Sequence, residues 1–396
     1  MPLVTPRAGR PILASFADRR FRTLVWLVVA VVGWTGVPIL AAALQAKGEL
    51  GFDLELVLEA GRRVTSGASP YDPAVVAGVR LEAQDLFYSY PPPLGQAAAI
   101  VARVPSIVIL VGFGILAVLA FLFVALRIVG RLAPSRSNRI ILLPLVAVLP
   151  FLYPLTVALL FGNADAWYPA LYGAMLLAAL PGASRGELTG AGAALALTAV
   201  AKIHPSSIGL WFLLRTLTRA GRPQVVAVAI VTGLAIISVS LIVGGLQPWL
   251  DYVAVVRTVS GAELVLRNNI GPAAQLAGLL GVGEEGARLL QLPVIAIALG
   301  ATAWAALRLN DPVESLAIAT VASLVILPVT WYHYPVAVIP FGLAAYGRAG
   351  ESHANRVVLL LGLAVGIAAV SIALPVTVWL AVGLVLAAIR ASAPDT

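Results

Sequence analysis

Apolar stretches of membrane-spanning length recur from Leu24 to Ile389, and this repetition constrains the fold more than any motif does. A bilayer-crossing helix needs about 20 apolar residues at about 1.5 Å each. Inside lipid every backbone polar group must be paired within the protein, so such runs read as helices. Taken in order they predict about 12 spans, at 23–45, 106–128, 140–159, 166–181, 188–203, 206–216, 224–245, 287–306, 314–328, 334–346, 356–374 and 376–390. The expected fold is therefore an all-α polytopic membrane protein, with 1–396 as one integral membrane domain. The shorter runs read as tilted, broken or re-entrant segments, which buried backbone beside a cavity permits.

Composition removes the competing classes. Hydrophobic residues make up 60% of the chain and charged residues 11%, against about 25% charged in an average soluble domain. A sequence pI near 10.1 raises the question of nucleic acid. The 26 Lys and Arg residues, however, lie in short clusters between apolar runs, with no basic helix and no aromatic-interleaved patch. No nucleic-acid partner is expected, and the positive charge reads as topology. With no cysteine, disulfides, thiolate nucleophiles and zinc–thiolate sites are excluded. Three histidines are too few for a histidine-rich metal centre, so no metal or other cofactor is expected. The Arg-rich head (Arg7, Arg10, Arg19, Arg20, Arg22) precedes an apolar run without a small-residue cleavage site, which reads as a retained first span.

Charge asymmetry orients the threading. With both termini cytoplasmic, the inner segments hold 17 of the 26 basic residues, all arginine, whereas the short outer connections near 161–166, 329–334 and 375 hold none. Most of the rest lie in two long outer loops, 46–105 and 246–286, where the positive-inside bias has little force. Loops of that length without a function are uncommon. The first reads as a helix from Leu54 to Val64, broken at Ser66-Gly67 and a Pro-rich turn, with a short amphipathic helix over 94–104.

Ionisable and amide side chains near the membrane that topology does not require are the place to look for chemistry. The threading puts five groups of them on one face: Asp53; Asn163 and Asp165 in GNAD; Lys202 and His204 in AKIHP; Arg267, Asn268 and Asn269 in the second loop; and His333 in TWYHYP. Each has a plainer reading. Asp53 is either a helix N-cap or a base, and Asp53 with Glu55 is a sparse acidic pair for a metal. Glu59 with Arg62 and Arg63 has the spacing of a helix-surface ion pair. Lys202 either snorkels to headgroups or holds a phosphate as a point charge. His333 sits among belt aromatics, and His204 precedes the helix-breaking Pro205. Tyr88, Tyr90 and Pro91-Pro92-Pro93 form either a rigid turn or part of a site.

The ordered set resembles a known family. An outer-loop Asp, Ser69 to Pro73 (SPYDP), Tyr88 to Pro92, Gly162 to Asp165, Lys202 to Pro205 and Trp331 to His333 recur in that order in glycosyltransferase family 87. These are GT-C enzymes related to mycobacterial α-1,2-mannosyltransferases of phosphatidylinositol mannoside and lipoarabinomannan synthesis. The likeness covers about 50–340. It departs where the family's Gly-Gln-x-Asn reads Gly-Asn-Ala-Asp, where His204 replaces Tyr, and where Tyr334 replaces a second His. The resemblance implies inverting transfer of a sugar, mannose first, from a polyprenyl-phosphate donor to a lipid-linked or glycan acceptor at the outer face of the cytoplasmic membrane. It implies Asp53 as general base and His333 near the donor phosphate. Lys202 and Arg267 are the further phosphate-binding candidates, with Tyr90, Asn163, Asp165, His204, Asn268 and Asn269 as substrate-binding ones. The alternatives are a polyprenyl-phosphate-arabinose-dependent arabinofuranosyltransferase and a lipid or glycolipid flippase. The polar set at span ends and the absence of a visible half-to-half repeat oppose the flippase.

Overall fold

A computed structural model describes residues 19–79, 87–133, 138–203, 205–218, 220–259 and 268–393. Every regular element among the described residues is helical. The long helix α1 (Arg19–Ala46) leads into the short outer helices α2 (Phe52–Thr65), α3 (Pro73–Val76) and α4 (Pro92–Ala98), and then into α5 (Ser106–Leu132). Next come α6 (Asn138–Val148), α7 (Tyr153–Phe161), α8 (Tyr168–Ala179), α9 (Arg185–Ala201), α10 (Ser206–Arg215) and α11 (Pro223–Gly244). The last third holds α12 (Gln247–Val259), α13 (Pro272–Leu280), α14 (Glu284–Arg308), α15 (Pro312–Val325), α16 (Ile339–Arg348), α17 (Glu351–Val370) and α18 (Val378–Ala391).

Five of these helices, α1, α5, α11, α14 and α17, are long and apolar enough to cross a membrane. A sixth span results if α6 and α7, bent by 74° at their junction, count as one. The 12 expected spans are therefore not all present as full-length helices. Proline is the physical reason. Pro154, Pro169, Pro312, Pro335, Pro340 and Pro375 sit at the first positions of helical segments, where the ring fixes φ and removes a donor that a continuing helix would need. The apolar run 334–346 accordingly divides into a 3-10 turn (Tyr334–Val338) and the ten-residue α16.

The short helices, with Phe121, Val124 and Ile128 of α5, form most of the core, and the long helices present apolar faces outward. In α8, ten residues including Tyr168, Tyr172 and Met175 are buried, packed with Trp211, Phe212, Leu316, Leu324 and Phe341. Within α11, by contrast, only Val225 and Ser240 are buried, and Ile230, Val231, Leu234, Val239, Ile242 and Val243 are exposed. An apolar surface of this extent does not suit water; it suits lipid, and with the span-length helices it points to a membrane-embedded protein.

One end of the bundle is closed by arginine. Arg131 and Arg127 reach Glu187 at the start of α9 (3.2 and 3.0 Å), and Arg222 donates to the carbonyls of Ala178 and Leu180 after α8. Arg215 caps α14 through Ala306 and Leu309, while Arg348 and Arg390 pair with Asp311 and Glu314 at the start of α15 (2.6 and 2.7 Å). Cations at helix C-termini satisfy orphan carbonyls and the helix dipole. Because α8 ends here while α9 and α15 begin here, the turns before α8, after α9 and after α15 meet at the opposite end. The 17 residues of α9 set the two ends about 25 Å apart.

Candidate active site

Four turns supply the site, and local backbone chemistry places each. Gly162 terminates α7 in the left-handed region (φ 67°), a conformation that favours glycine. The chain then reverses so that Asn163 caps the 3-10 turn Ala164–Trp167, its Oδ1 accepting from the Asp165 N–H at 2.9 Å. Gly51 precedes α2 with φ 74°, and its N–H donates to the Leu160 carbonyl at 2.8 Å, which docks the start of α2 on the end of α7. Gly51 thus stands at the N-cap position, and Asp53 lies in the first turn with its side chain free of capping. Lys202 leaves α9 in an extended conformation, and His333 immediately precedes the 3-10 turn that begins at Tyr334. A Cβ on Gly162 would stand 2.6 Å from Leu54 Cβ. Gly162→Ala is accordingly expected to destabilise the fold by about 1–3 kcal/mol through strain and overpacking, read as a lower thermal midpoint in detergent, and to displace Asp53.

The side chains form one connected set. Asn163 Nδ2 donates to Asp53 Oδ2 at 2.9 Å and lies 3.2 Å from His333 Nε2. Lys202 Nζ donates to Asn163 Oδ1 at 3.2 Å and to Asp165 Oδ2 at 3.0 Å, and is also 3.0 Å from Asp165 Oδ1. His333 Nε2 is 3.5 Å from Asp165 Oδ2. The Lys202 ammonium sits 4.2 Å from the centre of the Tyr334 ring and 5.5 Å from that of Tyr90, within cation–π range. Tyr168 adds a hydrogen bond to Asp165. Asn163, Asp165, Lys202 and His333 are buried and Asp53 is half-buried.

Burial sets the protonation states. It holds the Asp53 carboxyl above its ordinary range, against the lowering influence of the Asn163 hydrogen bond and the Lys202 charge. Burial also raises Asp165, with Lys202 opposing. His333 is pushed well below its ordinary range by burial and by the like charge of Lys202, so its imidazole is neutral. Asp53 is thus a carboxylate of increased basicity, Lys202 a cation shared with Asp165, and His333 a neutral ring whose buried Nδ1 has no hydrogen-bond partner among the described residues.

Six of the residues singled out in the sequence therefore converge: Asp53, Tyr90, Asn163, Asp165, Lys202 and His333. Asn269 is used otherwise. Its Nδ2 donates to the Pro328 carbonyl, and its Oδ1 accepts from the N–H groups of Gly271 and Thr330 (each 2.9 Å), which fastens the second outer loop to the turn leading into His333. Asn268 is exposed. Arg267 and His204 lie outside the described residues. Glu59 pairs with Arg62 at 2.8 Å and Arg63 at 3.7 Å, the expected helix-surface pairs, and Glu55 also pairs with Arg62. No cluster of three or more His, Asp or Glu residues is placed to hold a metal among the described residues.

Tyr334 and Tyr168 were not singled out from the sequence. Their signal was adjacency to His333 and Asp165, masked by the interfacial-belt reading of aromatic residues. The two outer loops meet where Ser69 donates to Asp251 Oδ2 at 2.6 Å. There Tyr71, Tyr88 and Tyr252 pack together, with the Tyr88 hydroxyl held between the Pro91 carbonyl and the Gly95 N–H. A half-buried carboxylate, a cation and an imidazole with an unpartnered ring nitrogen at one helix junction suit proton removal from a hydroxyl beside a developing negative charge.

A sequence model of glycosyltransferase family 87 matches residues 88–330. The matched stretch includes Tyr90, Asn163, Asp165 and Lys202 and stops short of Asp53 on one side and His333 on the other. Comparison with curated proteins and with solved structures gave no match.

Proposed function

Because the chain belongs to glycosyltransferase family 87, we propose that it transfers a sugar, mannose first, with inversion from a polyprenyl-phosphate donor to a lipid-linked or glycan acceptor. The observation that carries this reading is the half-buried Asp53 carboxylate. One of its oxygens is held by Asn163, and no described residue donates to the other. A single base suffices for an inverting displacement. Asp53 takes the proton from the acceptor hydroxyl as that oxygen attacks the anomeric carbon. The bond from that carbon to the phosphate oxygen breaks on the opposite face, and its electron pair leaves with the lipid phosphate. Lys202 and His333, both joined to the base through Asn163, stabilise the departing charge without a metal.

An apolar cavity of about 770 Å³ supports a prenyl-linked donor. Its lining includes Pro335 and Val336, directly after the His333 turn, and it continues along α16, α17 and α18 past Leu361 and Val382. Such a cavity is large enough for a lipid chain. Under the positive-inside bias the arginine-closed end reads as the cytoplasmic side, which supports a site that faces outward from the cytoplasmic membrane.

The test is label transfer. Membranes containing the protein, given sugar-labelled β-linked polyprenyl-phosphate mannose, are expected to form an α-linked labelled glycolipid absent from control membranes. Label from polyprenyl-phosphate arabinose alone would change the sugar to arabinofuranose. Label from neither would refute the polyprenyl-phosphate donor.

A further inference from the structure

Asn163 stood among the substrate-binding candidates, yet its side chain has nothing left for a substrate. A carboxamide offers two N–H donors and a carbonyl oxygen with two acceptor positions. Here Oδ1 faces two groups that can only donate, the Lys202 ammonium at 3.2 Å and the Asp165 backbone N–H at 2.9 Å. That fixes which end of the amide is oxygen, an assignment that rests on the hydrogen-bond network. Nδ2 then has Asp53 Oδ2 at 2.9 Å and His333 Nε2 at 3.2 Å as its two acceptors.

The consequence falls on histidine. A neutral imidazole carries its hydrogen on one nitrogen only. If Nε2 accepts from Asn163, the hydrogen is on Nδ1, and Nδ1 is the buried atom without a partner among the described residues. The same amide holds one oxygen of Asp53 and leaves the other for a proton. Burying a polar N–H without an acceptor is costly, which is consistent with a position that a ligand oxygen fills.

We propose that Asn163 is a positioning residue, whose single amide orients the Asp53 base and holds His333 in its Nδ1–H form, so that this N–H points to the oxygen of the leaving phosphate. The proposal rests on the polyprenyl-phosphate reading above for the identity of that oxygen, but the hydrogen position on His333 can be measured without any substrate. Asn163 couples proton removal to leaving-group stabilisation: the two groups that must act in one displacement are set by the two hydrogens of one nitrogen.

The chain has three histidines, so nitrogen NMR of protein labelled with [15N]histidine is tractable, with His333 assigned by the signals lost in His333→Gln. The expected wild-type state is Nδ1–H with Nε2 unprotonated. Asn163→Asp keeps the shape but replaces the N–H donor with an acceptor, so the hydrogen should move to Nε2. The added carboxylate beside Asp53 should move the acidic limb of kcat/KM upward by about one pH unit. kcat should fall on the order of a hundredfold, with the donor KM little changed. Asn163→Gln, which returns the amide, should restore Nδ1–H and part of the rate.

An Nε2–H ring in the wild type would overturn the proposal, whether or not any variant folds. So would an Asn163→Asp protein with an unchanged histidine and an unchanged pH profile. A wild type that transfers no sugar would refute the donor reading and leave the histidine measurement to stand alone.

Discussion

Asp53→Asn is expected to reduce sugar transfer by about a thousandfold, within the 10²–10⁴ range typical of a lost general base, while leaving donor binding intact. The substitution preserves size while it removes the carboxylate's charge and its capacity to accept a proton in the displacement. It does not disrupt a cap, since Gly51 occupies that position and no backbone N–H of α2 depends on the Asp53 carboxylate. Its cost should therefore appear in kcat and not in the melting temperature. The pH profile gives a second reading. Burial raises the Asp53 pKa, and a base works only when ionised. In the wild type kcat/KM should rise with pH through a limb above the ordinary carboxylate range, and that limb should be absent from whatever activity Asp53→Asn retains. Equal label transfer by both proteins would remove Asp53 from the mechanism.

Lys202→Met should act on stability as well as on rate. The ammonium lies 3.0 Å from each carboxylate oxygen of Asp165, whose side chain is fully buried. Breaking a buried pair by removing one partner typically costs about 3–5 kcal/mol, because the remaining charge is left uncompensated. The single variant should therefore melt well below the wild type, and Asp165→Asn should melt lower as well. Replacing both, Lys202→Met with Asp165→Asn, removes the uncompensated charge and should recover most of the loss. Activity should not recover with it, because the cation near the leaving phosphate is gone. A Lys202→Met protein as stable as the wild type would show that Asp165 finds another counter-charge, and a fully active double variant would show that the cation has no part in transfer.

Residue identity against membrane topology disclosed much of this site. A Lys among short outer connections that otherwise hold no basic residue, an Asn and an Asp in a short connection and a His at a span end each stood out against an apolar background. What the residues alone left open was the choice between roles. Asp53 next to a helix start read equally as a cap, and only the backbone of Gly51 shows that the cap position lies two residues earlier. Asn163 read as a sugar contact, because three of its four polar neighbours come from segments that no local pattern connects. The number of spans was the weakest inference. Hydropathy counts apolar residues without regard to where proline ends a helix, so runs such as 166–181 and 334–346 resemble full spans although they fold as short helices preceded by 3-10 turns. Those interruptions bring Asn163 and His333 to a common point.

The spacing of these contacts along the chain bears on biogenesis. Asp165 and Lys202 are 37 residues apart and joined through the neighbouring helices α8 and α9, whereas Asn163 and His333 are 170 apart. In a chain synthesised from its N-terminus, the helical hairpin carrying both buried charges emerges long before the histidine does. The acid and the base can neutralise each other within that hairpin, which reduces the cost of carrying them into lipid. The imidazole arrives later, to a carboxamide whose orientation the hairpin has already fixed. A variant that disrupts the ion pair should then be recognised early, as a poorly inserted nascent protein, and one that disrupts only the histidine contact should reach the membrane at normal abundance.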